Sequence, residues 1–133
     1  MNSPDVAERF ASALDADDFL EAAHLLEEDC LYSTHGREIR RREHVMASFV
    51  EASDWAHANL DKITYEHTLV HSQAAATIRF VDIFEHRGQK VRHECLMHVE
   101  TGPNDRIRRL TLEDLPGERE RVGAFLEAFG IKR

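Results

Sequence analysis

The stretch AATIRFVDIFEHRGQKVRHECLMHVE, residues 75–100, decides the fold. It contains two alternating runs around a turn. In the first, Ile78, Phe80 and Phe84 share one side while Arg79 and Glu85 take the other. In the second, Val91, Cys95, Met97 and Val99 lie opposite Arg92, Glu94, His98 and Glu100, with Leu96 among the polar set. A period of two is the signature of a strand with one buried face. Arg87-Gly88 between the runs reads as a hairpin turn. Centring the turn there sets Glu85 opposite Lys90, Phe84 opposite Val91, Phe80 opposite Cys95 and Ile78 opposite Met97. A one-residue slip would face phenylalanines with arginine and glutamate, so the register is specified. The runs predict strands Ala75–Glu85 and Val91–Glu100.

On either side, Ile63–His71 and Ile107–Asp114 read as further strands, although alternation in Ile63–His71 is poor. The first half of the chain has a helical period instead. Ser3-Pro4 is a start signal, a capping hydroxyl followed by proline at the first helical position, and Val6, Phe10, Ala13 and Leu14 follow at helical spacing. Asp17 is placed to cap a second helix with Phe19, Ala22, Ala23 and Leu26 on one face. A short strand, Cys30–Thr34, ends at a turn through Gly36, and a third helix starts near Arg42 and runs towards Ala58. After Pro116-Gly117, an amphipathic helix over 118–129 turns Val122, Phe125, Leu126 and Phe129 inward and stops at Gly130. Helices followed by a meander of long strands predict an α+β domain with N-terminal helices packed on a curved antiparallel sheet. At 133 residues the chain reads as one domain, 1–133, with enough core to fold unaided.

Composition narrows the function. The net charge of −8 disfavours nucleic acid, whose phosphates need a basic face. The one basic cluster, Arg37, Arg40, Arg41 and Arg42, reads as a solvated helix start. No apolar run approaches the roughly 20 residues of a membrane span, and Met1–Leu14 lacks the features of a signal peptide. Cys30 and Cys95 then read as reduced, buried thiols in a cytoplasmic protein. His67 and His71 share a strand face but stand roughly 13 Å apart, and His93 and His98 point to opposite faces, so no metal site is expected. The chain also lacks a phosphate-cradling glycine loop, a nucleophile elbow and a Cys-x-x-Cys pair, and no cofactor is expected.

The element order, with the local patterns Leu14-Asp15-Ala16-Asp17-Asp18, Phe84-Glu85-His86-Arg87-Gly88-Gln89-Lys90 and Arg106-Ile107, resembles the nuclear transport factor 2-like (SnoaL-like) superfamily over roughly Pro4 to Leu115. The resemblance implies a cystatin-like cone with an interior pocket. It does not imply one activity, because that superfamily holds an isomerase, cyclases, dehydratases, epoxide hydrolases and non-catalytic binding proteins. Where its steroid isomerase carries a tyrosine and two aspartates, this chain aligns Phe10, Thr34 and Met97. Steroid isomerisation by that mechanism is not expected.

The hairpin register also places Asp82 directly opposite His93, the one polar step on an otherwise apolar face. If Gly102-Pro103-Asn104-Asp105 forms the next loop, Met97 faces Leu110, Cys95 faces Leu112, and His93 faces Asp114. A histidine between two aspartates has chemical logic. One carboxylate sets the imidazole tautomer and favours its charged form, while the other ring nitrogen exchanges protons with a ligand. The same three residues also fit an ordinary polar cluster at a wet strand end. Tyr32 and Thr34 face the interior if the first strand packs as the resemblance implies. Trp55 either closes the pocket or plugs the core. Phe10, Phe49, Phe80 and Phe84 are wall or core, as are Cys95, Met97, Leu110 and Leu112. On the opposite sheet face, Arg79, Val81, Ile83, Leu96, His98 and Thr111 form a half-apolar surface that predicts a homodimer. The expected function is a pocket for a small, mostly apolar molecule. It is either a cofactor-free isomerase, dehydratase or cyclase with His93 as proton carrier, or a non-catalytic binding or dimerisation domain.

Overall fold

The computed structural model describes residues 3–71 and 76–133. Ala75 of the expected strand and the side chains of Ser3 and His71 lie outside the described residues. Helices α1 (Ser3–Asp15) and α2 (Phe19–His24) lead into β1 (Leu26–Thr34) and β2 (Arg37–Arg40). Helix α3 (Arg42–Asn59) follows, then β3 (Lys62–His71), β4 (Ala76–His86), β5 (Gln89–Thr101), β6 (Ile107–Asp114) and α4 (Glu118–Ala128). The six strands form one sheet in the order β2-β1-β6-β5-β4-β3.

The β4–β5 hairpin has the register its alternation predicts, with Phe84 opposite Val91, Asp82 opposite His93 and Phe80 opposite Cys95. Arg87 and Gly88 both take positive φ, 49° and 78°, which is the turn whose twist matches paired strands. The sheet is mixed rather than purely antiparallel, because β1 runs parallel to β6. β1 and β6 lie far apart in sequence, and the helix and strands between them return the chain to β1 in the same direction. Strand β2 is an addition. His35 and Gly36 take φ of 48° and 78° and turn Arg37–Arg40 back along β1. The arginines therefore line a strand and a helix start, where Arg40 and Arg41 pair locally with Glu38 and Glu43.

Two further expectations change. Asp18, not Asp17, caps α2, accepting the Glu21 amide hydrogen bond at 3.2 Å. Asp17 takes φ of 53° and turns its carboxylate to α3, where it accepts from Ser53 Oγ at 3.0 Å and from the His57 ring at 3.0 Å. The β5–β6 pairing is also displaced by two residues. Cys95 faces Asp114, Met97 faces Leu112 and Val99 faces Leu110. The connecting turn closes from the Gly102 amide to the Arg106 carbonyl, and a register irregularity follows between Glu100 and Thr101. The longer turn plus the bulge shifts the strand by two, so every side chain keeps its face but changes partner.

Helix α1 lies across β3, β4 and β5. Its Val6 and Phe10 are fully buried with Ile78, Val99, Ile107 and Leu110 in the main core. A second core lies at the other end of the sheet, where Val122 and Leu126 of α4 pack with Phe84, Val91, Ala56 and Leu60. Between the two cores the concave face stays open.

Candidate functional site

That opening is a cavity of about 500 Å³. Its wall draws on α1, β1, α3 and the inner faces of β3, β4 and β5. Of the residues singled out from the sequence, Tyr32, Thr34, Phe49, Trp55, Phe80, Phe84, Cys95, Met97 and Leu112 face it, together with Asp82 and His93. Phe10 and Leu110 do not. Both are 0% exposed and lie in the core behind the wall. Trp55 does line the cavity, with its ring 6.3 Å from that of Phe84 and its indole N–H donating to the Lys132 carbonyl at 2.8 Å.

Asp114 lies outside the cavity wall and does not meet His93. The two-residue displacement of β6 moves it opposite Cys95, and its Oδ2 sits 2.9 Å from Nδ1 of His35 at the β1–β2 turn. The polar row is instead Tyr65 on β3, Asp82 on β4 and His93 on β5, each directly opposite the next. Tyr65 was not expected. The alternation of its strand is too poor to give its face, which the pairing of β3 with β4 sets.

The electrostatics of this row also depart from the expected charged pair. Asp82 Oδ2 and His93 Nδ1 stand 4.0 Å apart, too far for a hydrogen bond, and Nδ1 is buried with no partner. Burial, helped by the nearby Asp15 charge, pushes the Asp82 carboxyl up to about 7. Burial also lowers the His93 pKa, with Arg133 adding to the effect. Near neutral pH the imidazole is therefore neutral and the carboxyl is poised between its two states. The part of Asp82 that remains open, 28% of the side chain, faces the cavity. Above it, burial pushes the Tyr32 hydroxyl up to about 12, so it stays protonated, hydrogen-bonded with Thr34 and stacked on Phe49 at 5.0 Å. Both cysteines are buried and free, with thiol pKa values pushed up by burial to about 11 for Cys30 and about 12 for Cys95. Neither is a ready nucleophile.

A second polar cluster backs the cavity where α1 crosses β3. The two ring N–H groups of His67 donate to Asp15 Oδ2 at 2.5 Å and Glu8 Oε1 at 2.9 Å. Burial opposes a charged ring, but the two carboxylates outweigh it and the His67 pKa is raised. A raised histidine pKa adds stability that is complete below the unfolded value and fades as pH climbs through the folded one. Replacing His67 with alanine is expected to cost about 1–2 kcal/mol, because the part-buried Asp15 carboxylate loses its donor while the exposed Glu8 stays solvated. Urea midpoints should show a larger loss at about pH 6 than at about pH 9.

Among the described residues no group of three metal-ligating side chains is assembled, and no helix is long and apolar enough to cross a membrane. No protein-family model and no curated protein matches the sequence. Solved structures do. Bal32a, from a soil-derived mobile gene cassette, superposes with a TM-score of 0.68 at 17% identity, covering 86% of this chain and 93% of that one. An LEH-like epoxide hydrolase of M. tuberculosis gives 0.67 at 16% identity, covering 96% and 95%. An NTF2-like protein from Exiguobacterium gives 0.63 at 12% identity, covering 84% and 98%. The chain adopts the nuclear transport factor 2-like fold. At these identities the likeness concerns the backbone architecture alone. Within this nuclear transport factor 2-like cone, the open concave face, the Tyr65–Asp82–His93 row and the apolar walls are the features from which function has to be read.

Proposed function

We propose that the cavity binds a small, mostly apolar molecule and that Asp82 and His93 exchange protons with it. The observation that carries this reading is a partly buried carboxyl, pushed up to about 7 by burial, 4.0 Å from a buried imidazole nitrogen without a partner on the wall of an open cavity. A catalytic acid or base works best with a pKa near the working pH, and environments that separate two titratable groups assign their roles. Here the roles invert the order expected from sequence. Asp82 is the proton carrier, and His93, held neutral, accepts or relays. The 4.0 Å gap leaves both free to address a ligand rather than each other. Tyr32 and Thr34 supply hydroxyls to orient a carbonyl. Such a set suits cofactor-free isomerisation, dehydration or cyclisation. An LEH-like epoxide hydrolase shares the fold, which supports an enzymatic reading of the cavity.

We infer a cytoplasmic homodimer formed through the outer sheet face. Ile83 and Leu96 are half-buried there and Val70 is 44% exposed, which favours pairing. The ion pairs Arg92–Glu94 and His98–Glu113 would rim the contact. Native mass spectrometry of the purified protein tests both parts. A dimer retaining a small organic molecule is the expected result. A monomer overturns the assembly, and a pocket that retains nothing and binds no member of a library of small carbonyl compounds overturns the ligand reading.

A further inference from the structure

One cation in the cavity wall is seated against aromatic rings. After α4 the chain turns at Gly130 and runs back to the cavity, where Arg133 is part of the wall. Its guanidinium carbon lies 5.3 Å from the centre of the Trp55 ring and 5.8 Å from that of Phe84. The two rings are inclined at 59°, so they form two sides of a corner with the cation inside it. Attraction of a cation to an aromatic face operates within about 6 Å and strengthens when water is excluded. The distance condition is met at both rings, while Arg133 itself is exposed and water still reaches its guanidinium.

Charge around the corner is arranged for a cation as well. Asp15, Asp17 and Asp82 all face the cavity. Asp15 is taken by His67, and Asp17 by Ser53 and His57. Asp82 is not. Among the described residues the basic groups that act on it are His93, at 4.0 Å, and Arg133, which attracts it without forming an ion pair. Glu51 also lines the cavity but is exposed, which leaves Asp82 as the partly buried carboxylate open to an incoming positive charge. The guanidinium is held by ring faces and long-range attraction, and the cavity keeps about 500 Å³ with Arg133 among its walls.

We propose that the corner formed by Trp55, Phe84 and Asp82 is a site for an organic cation, an amine or guanidinium on an otherwise apolar molecule, and that Arg133 is its internal stand-in. This rests on the reading of the cavity as a small-molecule pocket and names the class of molecule it takes. The ligand's positive group replaces the guanidinium between the rings, and its apolar remainder lies along Phe80, Cys95 and Met97.

Benzylammonium and the equally sized, neutral benzyl alcohol separate the possibilities, with binding followed calorimetrically and by the fluorescence of Trp55, the single tryptophan. In Arg133→Ala the internal competitor is gone, and benzylammonium should bind about tenfold tighter than to the wild type and about tenfold tighter than benzyl alcohol. Arg133→Gln, which keeps the bulk of the segment and drops its charge, should shift in the same direction. Adding Asp82→Asn to Arg133→Ala should remove most of the preference for the cation. Equal affinity for both probes in Arg133→Ala and Arg133→Gln overturns the cation site while leaving an apolar pocket in place. Failure of either probe to bind any variant overturns the pocket reading together with it.

Discussion

Replacing Asp82 with asparagine should make the protein more stable at about pH 8 while abolishing any proton transfer in the cavity. The Asp82 pKa stands at about 7 against an ordinary 3.8. A carboxyl whose pKa rises on folding contributes stability that is complete below its unfolded value and is lost as pH climbs through the folded one. At about 1.4 kcal/mol per unit, the loss above neutrality reaches at most about 4 kcal/mol. The side chain keeps 28% of its surface open to the cavity, so water there screens the charge. A gain of about 2 kcal/mol is the expected size, or a rise in melting temperature of roughly 5–10 °C. At about pH 5 the carboxyl stays protonated in the folded state, and the gain should shrink by more than half. Calorimetric melting of both proteins at the two pH values checks this. A variant no more stable at the higher pH would mean that Asp82 is well solvated and ordinarily ionised. A carboxylate retained at such a cost is one sign of a site selected for something other than stability.

The second large effect concerns the phenylalanines. Phe10 has no exposed surface and packs edge-on against Phe49, with ring centres 6.0 Å apart. Truncating it to alanine opens a void inside the main core and should cost about 3–5 kcal/mol, a third or more of the stability of a typical domain. Phe49 borders a space that already exists, so Phe49→Ala enlarges the cavity without creating one. Its cost should be about half that of Phe10→Ala, arising mostly from lost contact with Tyr32 and Phe10. Chemical denaturation of both variants gives the comparison. Equal losses would mean that the wall at Phe49 is closed and the cavity does not extend to it.

The contrast between these two residues marks a limit of sequence reading. Phe10, Phe49, Phe80 and Phe84 are equivalent as letters in an apolar pattern. Three border the cavity and one is sealed behind it, and the difference depends on where α1 and α3 settle on the sheet. Tyr65 belongs to the same class. The poor alternation of its strand does not give its face, and only the pairing of β3 with β4 sets it opposite Asp82. The seat of Arg133 depends on how α4 packs at the end of the sheet, and no periodicity reports on that.

Taken alone, the sequence determined the α+β architecture and the register of β4 on β5. Both follow from alternation, because a slip of one residue would expose a whole apolar face to water. It also determined that Asp82 faces His93, which is a consequence of that register. The tertiary structure decided everything that alternation cannot detect. A displacement of two residues leaves each side chain on its face, so the longer turn and bulge before β6 could move Asp114 away from His93 with no mark in the hydrophobic pattern. The parallel pairing of β1 with β6, the exposure of Asp82 to a cavity rather than to a filled core, and the guanidinium between two rings likewise arise from contacts between segments distant in the chain. Local pattern carries the period of an element, whereas the partners that element meets are set by how the whole chain closes around its core.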